Sequence, residues 1–455
     1  MAQPEKIEVI PSPKKLVNSL RNIGYDFTTA VADLVDNSLE ANATTVKIEV
    51  EFHGADSFVR ISDNGKGMNI HELREAMRLG SNHDFEKEDD LGKFGLGLKT
   101  ASFSQCRSFI VASRSEKDRK NINAFTWDLD EIEVTDKWEI SKIEPGKIAG
   151  LLERNLSDSP GTVVIWRKLD RILDMKFPEG DVARKRLGSM CHDLEDHLSM
   201  VFHRFLNNEV PGRSLRIYIN DRKITAWDPY CRQEENTQQF ESVKLDLNNN
   251  GKVGSITLQP YVLPPEKKFS SKDAFLAASG PKKWNRQQGF YIYRANRMIQ
   301  SGGWAGIRTI DEHLKLARIS LDFTSYLDDY FNLNISKMQV TIPKEVKEQI
   351  SLNLNNVVKH ANQTYRKKTE TTNRPVQSDH TPPTNYPDPP HQNPIPPKPP
   401  SEVVVVPDDS NSKKLWRLDE IKTYLLCIAK EEETEIIERL FNELSLELEK
   451  DNYGS

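Results

Sequence analysis

Three short stretches of this chain combine residue types and spacings suited to phosphate chemistry. In Leu91 to Ser102, LGKFGLGLKTAS, the glycines Gly92, Gly95 and Gly97 run straight into a small-residue helix start. Glycine lets backbone amides turn toward an anion with no Cβ in the way, and a helix begun near Leu98 adds partial positive charge at its N-terminus. Lys99 adds a full charge. An ordinary tight turn carries the same G-x-x-G-x-G run. In Asp33 to Ala41, DLVDNSLEA, Asp33 and Asn37 stand four apart within a stretch whose Ala30, Val31, Leu34, Val35 and Leu39 recur at helical spacing. The pair shares one helix face. There the Asn37 amide oxygen is a hard donor for Mg2+ and the Asp33 carboxylate can polarise an attacking water; a solvated acidic stripe is the plainer alternative. The third stretch is Ile61 to Met68, ISDNGKGM, a D-x-G-x-G turn at the end of a strand. Asp63 can accept a bond from an exocyclic amine, while Gly65 and Gly67 let a flat ring approach the backbone. A simple hairpin turn has the same composition.

The elements needed to position these groups are legible around them. Thr29 to Ala41 is expected to be a helix, Val46 to Val50 and Phe58 to Ile61 strands, and Ile70 to Leu79 a helix. Gly80 to Asp90, GSNHDFEKEDD, has the polar, acidic composition of a loop. From Arg107 to Trp138 the chain alternates as strands do, with Trp127 and Trp138 as packing residues. The acidic cluster from Asp128 to Glu133 and Glu144 lack ligand spacing and read as surface charge. Asp181 to Leu206 is a long amphipathic run carrying His192, His197 and His203, which read as structural. Short strands recur from Ser214 to Trp227 and from Lys244 to Leu263, then in Gly289 to Gln300, Arg318 to Phe323 and Phe331 to Val340, before a helix over Lys344 to Thr372.

Composition bounds what the chain can be. Its 455 residues give room for two or three domains, and a net charge of -5 argues against a globally basic nucleic-acid coat. No apolar run approaches a membrane span and the N-terminus lacks the apolar block of a signal peptide, so the chain reads as cytoplasmic with no membrane partner. Cys106, Cys191, Cys231 and Cys427 show no C-x-x-C spacing and read as neutral thiols. Asn373 to Asp409 is dense in proline and reads as a semi-rigid, largely disordered linker. Beyond it, Trp416 to Ala429 and Glu432 to Leu448 have helical periodicity and suggest a hairpin that needs a second copy or a partner protein to bury its stripe.

DLVDN, DNGKG and GKFGLGLKTAS, in this order within the first hundred or so residues, followed by GTVVIW at Gly161 to Trp166, resemble the GHKL, or Bergerat-fold, ATPases. That family includes gyrase B, MutL, heat-shock chaperones of the ninety-kilodalton class, sensor histidine kinases and MORC proteins, and the likeness is greatest to MORC-like and MutL-like members. The resemblance implies an α+β fold: a Bergerat α/β sandwich over residues 1–178, a transducer domain over 179–370, the Pro-rich linker over 371–412 and the helical element over 413–455. It implies ATP and Mg2+ as cofactors, with Asn37 on the metal and adenine on Asp63, backed by Thr162 and lined by Gly65, Gly67 and Met68. The phosphates would lie on Gly92, Lys93, Phe94, Gly95, Leu96, Gly97, Leu98, Lys99 and Thr100, under Gly80 to Asp90 as a lid. Lys337 would reach back to the γ-phosphate, and the N-terminal arm would cross to the partner in a homodimer.

Gyrase, MutL and MORC-like enzymes carry glutamate where this chain has Asp33, the water-activating position. Aspartate is one methylene shorter, which predicts slow hydrolysis; Asp36, nearly one turn on, is an alternative base. The implied function is an ATP-gated clamp. DNA is the favoured substrate because basic clusters at Arg184 to Arg186, Lys267 to Lys272 and Lys282 to Arg286 are interleaved with Phe275 and Trp284. The alternatives are a chaperone-like clamp on a protein, or a nucleotide-sensing scaffold, for instance in a bacterial defence or restriction system.

Overall fold

The computed structural model describes residues 10–22, 24–80, 97–148, 152, 156, 159–173, 177–249, 252–328, 330–333, 340–370, 403–406 and 414–417. Residues up to 375 group into one unit and the remainder into a second.

In the first unit, helices α1 (Pro13–Leu20) and α2 (Phe27–Glu40) precede strands β1 (Thr45–Glu51) and β2 (Phe58–Asp63). Helices α3 (Ile70–Met77) and α4 (Gly97–Gln105) lead to β3 (Ser108–Arg114), β4 (Ile122–Asp128), α5 (Leu129–Thr135), β5 (Ser141–Lys142) and β6 (Gly161–Arg167). Then come α6 (Asp181–Val201), α7 (His203–Leu206), β7 (Arg216–Ile219) and β8 (Arg222–Lys223). The eight strands form one sheet in the order β5-β4-β3-β6-β2-β1-β7-β8. Strand alternation assigns its two faces: Phe109, Val111, Val164 and Trp166 join the large core under the helices, while their neighbours Ile110, Ala112, Val163 and Ile165 form a smaller cluster. Phe27 at the start of α2 packs edge-on against Trp166, ring centroids 6.2 Å apart.

The first core runs past residue 178, where the sequence suggested a domain boundary. Leu187, Leu194 and Leu198 of α6 and Ile217 and Ile219 of β7 belong to it, and β7 pairs in parallel with β1. The amphipathic stripe of α6 therefore closes the first layer, because it is buried against the same cluster as α2.

A second sheet is built from β9 (Gln238–Gln239), β10 (Val243–Asn249), β11 (Lys252–Val262), β12 (Gly289–Arg294), β13 (Arg297–Ser301) and β14 (Ala317–Phe323), in the order β10-β11-β14-β12-β13 with β9 on β11. Short helices α8 (Lys272–Ala278) and α9 (Lys283–Gln287) precede β12. The long α10 (Lys344–Glu370) lays Val346, Ile350, Leu354, Val357 and Ala361 against the sheet at helical spacing. Residues 331–333 are not strand, and 334–339 of the strand expected there lie outside the described residues.

In the second unit, β15 (Val403–Val406) pairs antiparallel with β16 (Lys414–Arg417). A linker and the start of a helix were expected at these positions. Val403 to Val406 is four consecutive β-branched residues, a strand signal embedded in the Pro-rich stretch. The rest of the expected linker and helical hairpin lies outside the described residues.

Candidate active site

Helix α2 supplies the site's chemical face. Asp26 caps it, its carboxylate accepting the Thr29 amide at 2.7 Å. Seven residues on, Asp33 is buried at the inner surface, where its Oδ2 accepts the Tyr25 hydroxyl at 2.7 Å. Tyr25 is itself buried, and burial followed by the adjoining Asp33 charge raises its phenol pKa well above the usual value. An ideal Cβ on Gly97, the first residue of α4, would lie 3.7 Å from Asp33 Oδ2. The carboxylate thus stands beside the start of the helix that the glycine loop feeds. Asn37, one turn after Asp33, is half-buried, and its carboxamide bonds none of the described residues. It is available to a ligand.

The second part of the site is a strand junction. Asp63 ends β2 and lies in register opposite Thr162 at the start of β6. Its Oδ1 accepts the Gly65 amide at 2.8 Å and its Oδ2 the Ser38 hydroxyl at 3.1 Å. Burial nevertheless pushes the Asp63 carboxyl up to about 6, against the pull of these donors and of the Thr162 amide. Ser113 of β3 lies 3.0 Å from the Thr162 hydroxyl, accepts the Met68 amide at 2.8 Å and donates to the Gly161 carbonyl at 2.8 Å. Gly67 has φ +61°, and a Cβ there would come within 1.9 Å of the Arg114 carbonyl oxygen. At Gly65 the obstacle would be Ala41, 2.7 Å away. Only glycine lets this turn fold so close to its neighbours.

The cradle is described from Gly97 onward. Leu98 is half-buried against the core, and Thr100 is buried, its hydroxyl donating to the Gly97 carbonyl at 3.3 Å. Lys99 is buried, with Nζ 3.0 Å from the Ala76 carbonyl at the end of α3, and burial lowers its pKa to about 8. Gly92, Lys93, Phe94, Gly95, Leu96, residues 81–90 of the expected lid and Lys337 lie outside the described residues.

Sequence reasoning missed Ser38, Ser113 and Arg297. Ser38 sits inside the DLVDNS motif, so its place in the motif was a usable signal; Ser113 and Arg297 had none. Asp36, the alternative base, is fully buried, and Arg297 Nε lies 2.9 Å from it. The acidic cluster serves local pairs: Lys168 holds Asp128 at 2.8 Å and Asp130 at 2.6 Å, and Arg107 holds Glu133 at 3.0 Å. His203 is buried and bonds the Tyr293 hydroxyl at 2.8 Å.

A buried carboxylate beside a helix start, a half-buried carboxamide one turn away and an acidic strand end floored by glycines thus stand together at the junction of α2, α4 and β2. Residues 25–162 match the family described as histidine kinase-, DNA gyrase B-, and HSP90-like ATPase, so this part of the chain is similar to the GHKL ATPase domain. The chain is similar to the DNA mismatch repair protein MutL of Aquifex aeolicus, with 29% identity over 348 residues, 75% of this chain and 69% of that one. It is also similar to Protein MICRORCHIDIA 5 of Arabidopsis thaliana, 29% identical over 151 residues, 32% of this chain and 21% of that one. With ATPase morc-1 of Caenorhabditis elegans it shares 26% identity over 185 residues, 34% of this chain and 21% of the relative. The chain thus spans about a fifth of the length of these last two relatives.

Proposed function

We propose that this chain binds ATP with Mg2+ at the α2, α4 and β2 junction and hydrolyses it slowly. Lid closure and pairing of two ATPase domains would then act as a clamp on DNA in the cytoplasm. The observation that carries this reading is the Asp33 carboxylate placed 3.7 Å from where a Cβ of Gly97 would stand, which sets a candidate base at the start of the phosphate-facing helix.

Each residue has a role in that reading. Asp63 accepts the adenine amine, supported from behind by Thr162 and Ser113, while Gly65, Gly67 and Met68 line the ring. Gly92 to Thr100 cradle the phosphates. Asn37 fits a Mg2+ ligand, since its amide oxygen is a hard donor and is not committed to another described residue. When bound, the metal neutralises charge building on the phosphates. Asp33 takes the proton of the attacking water. Lys337 is proposed as the second-domain contact to the γ-phosphate, by which the site's state biases the clamp.

The DNA part rests on exposed charge. Arg184, Lys185 and Arg186 on α6 and Lys267, Lys268, Lys272, Lys283 and Arg286 near the second sheet are exposed, and the Phe275 and Trp284 rings stack 4.6 Å apart among the latter. Lys282 of the same run differs, since its Nζ donates to the Ser301 carbonyl at 2.9 Å. Steady-state ATP turnover with and without duplex DNA at two salt concentrations tests this part. The expected result is a rise in rate with DNA that the higher salt removes, because phosphate contacts release counterions. A rate indifferent to DNA at both salts would reject DNA and favour a protein partner, engaged through the chain's C-terminal segment.

A further inference from the structure

We propose that Arg297 is a positioning residue for ATP hydrolysis: from the second sheet it reaches Asp33 and Asp36 of α2, sets the orientation of Asp33 and ties the β12–β13 hairpin to the site. The proposal rests on the ATPase reading above. Residues 295 and 296 form the tight turn of that hairpin, with φ of 48° and 66°, and Arg297 is the first residue after it, paired in register with Arg294. Positive φ at both central positions is the geometry of a two-residue hairpin turn, so the tip is a defined platform.

The guanidinium fork is divided three ways. Arg297 Nε lies 2.9 and 3.2 Å from the two oxygens of Asp36, Nη2 lies 3.8 Å from Asp33 Oδ1, and Nη1 donates to the Met298 carbonyl at 3.2 Å. The side chains of Arg297, Asp33 and Asp36 are 3%, 2% and 0% exposed, so solvent screens little of this interaction. Two carboxylates three residues apart on one buried helix face repel each other, and the guanidinium between them offsets that repulsion. Asp33 is bonded at Oδ2 by the Tyr25 hydroxyl, and its Oδ1 faces the Arg297 charge at 3.8 Å, a charge contact beyond hydrogen-bond reach. Rotating the carboxylate to serve one partner better would lose the other. A lysine would keep the charge but not the three fixed N–H directions.

The test compares Arg297→Lys, Arg297→Gln and the charge-neutral pair Asp36→Asn with Arg297→Gln. It reads kcat and KM for ATP, together with hydrogen exchange of β12 and β13 before and after a non-hydrolysable ATP analogue. Arg297→Lys is expected to lower kcat about tenfold, and Arg297→Gln about a hundredfold, with KM within about twofold of wild type. The paired variant removes one buried charge of each sign and keeps the Tyr25 bond to Asp33; with the fold checked by circular dichroism, it is expected to lose at least about tenfold in kcat, because Asp33 has lost its orienting partner. The analogue is expected to slow exchange in β12 and β13 of the wild type but not of the paired variant. A paired variant that turns over at the wild-type rate would make Arg297 a mere counterion to Asp36 and overturn the proposal. So would a rise in KM with kcat intact, or equal slowing of exchange in both proteins. Absence of turnover in the wild type would instead sink the ATPase reading, leaving the exchange comparison to decide on Arg297.

Discussion

Replacing Asp33 by asparagine lowers ATP turnover by about 10²- to 10⁴-fold, the usual worth of a positioned general base, while ATP affinity changes little. The carboxamide is isosteric and still accepts the Tyr25 hydroxyl bond, so the substitution removes basicity and leaves the shape. Asp33→Glu goes the other way. The added methylene carries the carboxylate toward the start of α4, where Gly97 offers no side chain, and single-turnover hydrolysis is expected to speed up. A glutamate variant no faster than wild type would show that the shorter acid does not limit the reaction. An asparagine variant with wild-type turnover would remove Asp33 from the chemistry, and Asp36 is a poor replacement because Arg297 already occupies it.

Discrimination between adenine and guanine is the second large effect. A carboxylate at Asp63 accepts the exocyclic amine of adenine, whereas guanine presents an oxygen there and the two acceptors face each other unpaired. Sites built around a buried hydrogen bond reject such mismatches strongly, so ATP is expected to bind about a hundredfold or more tighter than GTP. Titration follows from the same contact. The folded carboxyl titrates near 6, above its ordinary value of 3.8, so in the empty protein this group favours the folded state below 3.8 and that contribution is lost as pH rises through 6. The amine bond favours the ionised form. ATP affinity is therefore full well above pH 6 and falls by about tenfold per unit below it. Asp63→Asn is expected to weaken ATP binding, narrow the preference over GTP and abolish this pH step, as read by titration calorimetry from pH 5 to about 8. An unchanged pH profile in the asparagine variant would place adenine elsewhere.

The local motifs were the legible part of the molecule. The helical spacing of Ala30, Val31, Leu34 and Val35 located α2, and with it the face carrying Asp33 and Asn37. The D-x-G-x-G pattern located the turn at Asp63, which lies opposite Thr162 in the register of β2 and β6. What escaped the sequence lies far apart in it. Arg297 meets Asp36 across 261 positions, and an arginine in a strand carries no mark of the helix it will touch. Ser113 is one small residue among the alternating residues of β3, and its role arises only when β6 lies beside it. The extent of the first domain was hidden for a similar reason. The parallel pairing of β1 with β7 is made across the whole intervening chain, and no periodicity within α6 tells which layer its apolar stripe will cover.

In the proposed function, Asn37 and Asp33 serve one Mg2+-dependent ATP site. The most direct test is steady-state ATP turnover by the wild type and by Asn37→Ala over a Mg2+ titration, with ATP binding followed in parallel. Slow turnover that saturates with Mg2+ is expected in the wild type, and in the variant no measurable turnover, with Mg2+-dependent ATP binding lost. Turnover by Asn37→Ala with the wild-type dependence on Mg2+ would contradict it.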